Sequence, residues 1–207
     1  MKNAAAALAL GLVAGIASAS TIQIQTGAYT GTGSFASALD YQTAVEAAVS
    51  APGASSTFVG SYDNLPVALN NSALDATITF DATTAGTWDF RMGVDFGLGG
   101  AVFLDGTALA YNTGNMWWAG SYGDTTQSFN VTSAIASGSH TLSIYGIEDC
   151  CSGNQQAQFS IDGGAFTSFS NADGLATAVP ESRTYAMLLA GLGLVASMAR
   201  RRGAKQA

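Results

Sequence analysis

Two adjacent cysteines, Cys150 and Cys151, follow Glu148 and Asp149 and precede Ser152 and Gly153, and their types and spacing are the first candidates for chemistry. In an oxidising compartment two cysteines ordinarily make one disulfide. Neighbours pair badly, because a trans peptide holds their Cα atoms about 3.8 Å apart whereas disulfides usually span about 4.4–6.8 Å. The options are a strained vicinal disulfide holding a tight turn, bridges to a second chain, or free thiols. Each cysteine has a single partner within the chain, so oxidation of Cys150 to Cys151 is the expectation. A nucleophilic thiolate is disfavoured, since the flanking carboxylates oppose the anion and no neighbouring base supports it. Zinc would want four ligands, which two cysteines and one distant histidine do not supply.

That histidine, His140, stands in Gly138-Ser139-His140, a turn ahead of a strand, and any Ser-His-Asp triad would have to use it. Carboxylates for glycoside hydrolysis would come from Asp89, Asp95, Asp105, Glu148 or Asp149, with solvated acidic faces as the ordinary reading. The same acids could serve a structural Ca²⁺, but no EF-hand or glycine-nonapeptide pattern accompanies them. No metal site and no cofactor is assigned. Arg91, with Asp89 two residues away on one strand face, reads as a surface ion-pair partner. The best binding candidates are Trp117 and Trp118. They lie between Asn112-Thr113-Gly114-Asn115 and Ser121-Tyr122-Gly123-Asp124, where flat apolar rings for sugar stacking meet polar hydrogen-bonding groups. The plainer alternative is that one or both tryptophans cap the core.

The scaffold that must position these groups is strand-rich. Leu74, Ala76, Ile78 and Phe80 alternate with Asp75, Thr77, Thr79 and Asp81; Trp88, Phe90, Met92, Val94 and Phe96 alternate with Thr87, Asp89, Arg91, Gly93 and Asp95. That period of two predicts strands with one buried face. Further strands are expected at 101–104, 108–111, 127–131, 141–147, 157–161 and 165–169, with Asp105-Gly106 and Asp162-Gly163 as hairpin turns. Ahead of them, Thr26 to Ser34 reads as loop. Ala38, Tyr41, Val45 and Ala48 recur at helical spacing, predicting one short helix with Ser34 as N-cap and Pro52-Gly53 at its end. The fold class is all-β, a β-sandwich of jelly-roll or similar type with one short N-terminal helix, occupying residues 20–175.

Charge narrows the partners. Between Ser20 and Val179 there are 13 acids and one base, Arg91, a net of 1 − 13 = −12, so nucleic acid is excluded as a partner. The other bases sit at the ends. Lys2, an apolar run to Ala17 and the Ala17-Ser18-Ala19 exit make residues 1–19 a secretory signal peptide. Residues 176–207 hold Val179-Pro180-Glu181, an uncharged stretch from Thr184 to Ala199, and Arg200-Arg201-Arg202. At about 1.5 Å per residue the apolar run from Tyr185 spans roughly 22 Å, a short transmembrane helix whose arginines stop transfer on the cytoplasmic side.

Val-Pro-Glu, short apolar helix and terminal arginine cluster, in that order, resemble the PEP-CTERM sorting domain of exported Gram-negative bacterial proteins. Ser182 stands where that family usually has a second proline. The string Glu148-Asp149-Cys150-Cys151-Ser152-Gly153, with Gln158 to Gly163 after it, is similar to the CCXG group within those proteins. The stretch from Trp88 through Asp105-Gly106 is similar to PA14-type β-sandwich domains, some of which bind sugars. These resemblances imply an exosortase as processing partner at Val179, Pro180 and Glu181, the inner membrane as the precursor's station, and a final place on the cell surface or in an extracellular matrix. The expected role is structural or adhesive rather than enzymatic, with extracellular polysaccharide as a ligand. The rival is a secreted polysaccharide hydrolase working through acidic residues.

Overall fold

A computed structural model describes residues 19–67 and 70–175, and the signal-peptide, sorting-motif and stop-transfer expectations lie outside them. Among the described residues no helix is long and apolar enough to cross a membrane. The elements are β1 (Thr21–Ala28), α1 (Ala38–Val49), β2 (Ser55–Val59), β3 (Leu65–Val67), β4 (Ser72–Ala82), β5 (Gly86–Gly93), β6 (Gly100–Leu104), β7 (Thr107–Asn112), β8 (Ser128–Ile135), β9 (Gly138–Glu148), β10 (Gly153–Ile161) and β11 (Thr167–Ser168). They form two antiparallel sheets, one in the order β2-β1-β4-β9-β6-β7 and the other β11-β10-β5-β8, with β3 paired to β10. This is the expected sandwich.

Alternation along the strands builds the core between the sheets. From the larger sheet come Leu74, Ala76, Ile78 and Phe80 of β4 with Leu142 and Ile144 of β9; from the smaller come Trp88, Phe90 and Met92 of β5 with Phe159 of β10. Phe80 reaches across to Trp88 at 5.1 Å and to Phe169 at 5.6 Å between ring centroids, so the two layers are locked by aromatic contacts. Both Asp-Gly pairs are turns with positive φ at each residue, 49° and 76° at Asp105-Gly106 and 49° and 75° at Asp162-Gly163. That is the twist a tight hairpin needs, and glycine adopts it without a Cβ clash.

The helix is where the sequence placed it, but its start differs. Ser37, not Ser34, is the N-cap: its hydroxyl accepts from Asp40 N while Asp40 accepts from Ser37 N, a reciprocal capping box that Ser34 has no acid at the right spacing to complete. The expected loop beginning at Thr26 starts instead after Ala28, because β1 pairs with β4 as far as Ala28↔Ser72. At the other end, the strand expected over 165–169 is only Thr167–Ser168.

β4 also departs from the one-face expectation. Tyr41, Val45 and Ala48 of α1 pack on Ala73, Ala101, Phe103, Tyr145 and Ile147, which face away from the sandwich interior. The helix therefore makes a third layer on the outside of the larger sheet, and Asp75 is buried beneath it at 7% exposure. Burial pushes the Asp75 carboxyl up to about 6, against the hydrogen bond from Thr77 and with help from the charge of Glu46.

Candidate functional site

The outer face of the smaller sheet has no helix and carries a built surface. Its middle row follows from β5: Asp89, Arg91 and Gly93 point outward because Trp88, Phe90 and Met92 point in. Register sets their neighbours, with Arg91 between Gln158 and Asn130, Asp89 between Ser160 and Thr132, and Gly93 between Gln156 and Ser128.

The long loop from β7 to β8 folds over this face. Met116 anchors it in the core, exchanging backbone hydrogen bonds with Phe96 at 2.8 and 3.0 Å. Trp118 then lies flat on Gly93, where a Cβ would sit only 2.3 Å from the indole carbon Cδ2. Tyr122 meets Trp118 at 4.6 Å between centroids. The Tyr122 ring lies 4.1 Å from the guanidinium carbon of Arg91, and Phe166 lies 3.7 Å from the same carbon. Trp118, Tyr122, Arg91 and Phe166 thus form a continuous row across the sheet, a tilted aromatic pair followed by two cation–π contacts.

The loop is held in place by its own polar groups. Asn130 Nδ2 donates to the Tyr122 carbonyl at 2.9 Å, Ser128 Oγ to the Asp124 carbonyl at 3.1 Å, and Ala119 N to Gln127 Oε1 at 2.9 Å. Asp124 accepts from Thr126 N and Oγ1, and these bonds lower its pKa. Burial pushes the Tyr122 phenol up to about 12 despite the opposing pull of Arg91, so the ring is neutral at physiological pH.

Neither tryptophan caps the core, which corrects the plainer alternative. Trp117 is 69% exposed and Met116 beside it takes the core position; Trp118 joins the outer row. Arg91 is not the ion-pair partner of Asp89. Asp89 accepts from Thr132 Oγ1 instead, and Arg91 Nε donates to Gln158 Oε1 at 2.7 Å, because the flanking rings hold the guanidinium over β10 rather than along β5. Tyr122, Phe166 and Gly93 are site residues that the sequence did not single out, and Arg91 is one that it read only as an ion-pair partner. The period of two sets Arg91 and Gly93 on one face; nothing local in sequence brings Tyr122 and Phe166 to them.

The other candidates end up elsewhere. Cys150 and Cys151 are exposed free thiols in this structure, with no disulfide between them. Their turn is closed by a carboxylate instead: Glu148 accepts from Gly97 N at 2.7 Å and Cys150 N at 3.0 Å, while Cys151 takes a left-handed φ of 74°. The Cys150 thiol is pushed up to about 11 by its hydrogen bond with Cys151, then by burial and the charges of Asp149 and Glu148, which keeps it protonated. Glu148, Asp149 and Cys150 bring ligand atoms within 4.8 Å of one another, the one such group of three among the described residues, with Glu148 committed to the turn.

His140 has an Asp partner but no nucleophile. Nδ1 lies 2.7 Å from Asp105 Oδ2 and Nε2 2.9 Å from the Ala136 carbonyl, so both nitrogens are spent, and no serine hydroxyl occupies the Nε2 position. Asp105 is thereby committed to His140, and Asp89 sits on the aromatic face.

No family model matches the sequence, and no curated protein matches it. Among solved structures the chain is similar to a PA14 sugar-binding domain from an RTX adhesin, with a TM-score of 0.54 and 16% identity over 78% of this chain and 99% of that one. It is also similar to the PA14 domain of the antifreeze protein MpAFP, with a TM-score of 0.49 and 11% identity over 75% of this chain and 88% of that one. A third likeness is to the Epithelial Adhesin 9 A domain from Candida glabrata in complex with Galb1-4GlcNAc, with a TM-score of 0.47 and 9% identity over 77% of this chain and 90% of that one. The first of these establishes the architecture: the described residues have the β-sandwich fold of a PA14 domain.

Proposed function

We propose that this domain is a carbohydrate-binding module of an exported surface or extracellular-matrix protein, with a structural or adhesive role. The observation that carries the reading is the row of Trp118, Tyr122, Arg91 and Phe166 on the outer face of the smaller sheet, which no helix covers, bordered by Asn130, Gln156, Gln158 and Asp89. Sugar rings present apolar C–H faces and polar edges, and such a surface offers a matching partner for each. The RTX adhesin domain of like fold is itself described as sugar-binding, which supports the reading.

A glycan array with the purified protein tests it. Selective binding to polysaccharide fragments is expected, with Trp118→Ala weakening it about tenfold, the equivalent of one lost stacking contact of ~1.4 kcal/mol. Trp117→Ala, at a ring 69% exposed on the same loop, is expected to weaken binding in the same direction. Gly93→Ala should mimic Trp118→Ala, because the new methyl meets the indole at 2.3 Å and lifts it from the sheet. Absence of binding to any glycan, or turnover of a polysaccharide in place of binding, would remove the reading; turnover would favour the acidic hydrolase.

We further propose that an exosortase cuts at Val179-Pro180-Glu181 after Arg200, Arg201 and Arg202 halt transfer, leaving the β-domain outside the inner membrane. Mass spectrometry of the native surface protein should then find no peptide beyond the vicinity of Arg183. A C-terminus intact through Ala207 would mean that the segment is an anchor only.

A further inference from the structure

Arg91 is the sole base among 13 acids between Ser20 and Val179, and the fold treats it in an unusual way. Among the described residues no carboxylate lies in ion-pair range of it; the ion pair found there joins His140 and Asp105. The nearby acids are occupied by neutral donors, Asp89 by Thr132 and Asp63 by Gln156 Nε2 at 2.6 Å. A planar guanidinium has two faces, and a ring of the size of Tyr122 or Phe166 fills one each, at 4.1 and 3.7 Å. Only the edge remains for hydrogen bonding. Gln158 takes the Nε position at 2.7 Å, and the terminal Nη groups have no acceptor among the described residues.

We propose that this fork receives a carboxylate, so that the sugar bound by the aromatic face is a uronic acid unit of an acidic polysaccharide. The inference rests on the carbohydrate reading above and specifies its ligand class. Guanidinium donors held in a plane match the two oxygens of a carboxylate, and the bonds are strengthened by charge. The two rings fix the plane before the ligand arrives, so little rotamer freedom is lost on binding. In a domain of net −12, long-range repulsion of a polyanion is screened beyond about 10 Å at 0.1 M salt, leaving the short-range contact to discriminate.

The experiment is calorimetric titration of the full protein with an oligouronate and with the same oligosaccharide after its carboxyls are reduced to neutral alcohols. The oligouronate should bind at least about tenfold more tightly, and Arg91→Gln should bring its affinity down to that of the reduced form. Arg91→Lys, which keeps the charge and loses the fork, should recover only part of the difference. Circular dichroism and thermal melting of both variants check that the sheet is intact. Equal binding of the two oligosaccharides by the unsubstituted protein, abolished by Trp118→Ala, would overturn the carboxylate inference while leaving the carbohydrate reading standing. Binding of neither would overturn both.

Discussion

Phe80→Ala should lower the free energy of unfolding by about 3–5 kcal/mol, the range for removing a fully buried phenylalanine. Phe80 is 0% exposed and projects from the larger sheet into a ring of aromatics. It meets Trp88 at 5.1 Å, Phe90 at 6.0 Å and Phe169 at 5.6 Å, all of them beyond the larger sheet. Those neighbours are rigid and packed on one another, Trp88 against Phe159 at 5.4 Å and Phe159 against Phe169 at 4.8 Å, so the cavity cannot collapse. The cost therefore belongs near the upper part of the range. Urea denaturation should show the midpoint falling with little change in slope. Phe58→Ala is the matched control: Phe58 is 67% exposed on β2, and its removal should change stability by less than about 0.5 kcal/mol. A loss under about 1 kcal/mol in Phe80→Ala would mean that the two sheets are not held together by this cluster.

Asp75→Asn should stabilise the protein at neutral pH by about 1–3 kcal/mol and leave it unchanged in acid. Asp75 lies on the outer face of β4, between Gln25 of β1 and Tyr145 of β9 and beneath α1. The facing helix contributes Glu46, a second acid, which accepts from the Tyr145 hydroxyl at 3.2 Å and from Gln42 Nε2 at 2.9 Å. No base is at hand. Burial raises the folded-state pKa from 3.8 to about 6. The protonated form is thus the one the fold accommodates. Below pH 3.8 both folded and unfolded states hold the proton and nothing is lost. As pH rises from there through about 6, the unfolded chain ionises first and stability drains away. Asparagine keeps an oxygen for Thr77 Oγ1, which donates to Asp75 Oδ1 at 3.0 Å, and removes the charge. Thermal melts of the two proteins should coincide near pH 3.5 and separate by about pH 7.5. Parallel curves across that range would show that Asp75 is solvated in both states.

Much of the scaffold is legible in the chain because strand alternation is a local property. The runs Leu74 to Phe80 and Trp88 to Phe96 have the period of two that marks a strand, and Asp105-Gly106 and Asp162-Gly163 have the φ tolerance that tight turns require. Tyr41, Val45 and Ala48 likewise mark one face of a helix. What the tertiary structure decided was the use of the second faces. Where α1 docks turned Asp75 from an outward residue into a buried acid, because the helix needs an apolar surface and found Ala73, Ala101 and Ile147 on that side of the sheet. The site was decided the same way. Arg91 and Gly93 share a face by periodicity, but Trp118 and Tyr122 arrive from a loop anchored at Met116, and Phe166 from the turn after β10. Local sequence encodes which residues point outward; which outward residues meet depends on loop closures over tens of residues, settled by the packing of the whole sandwich.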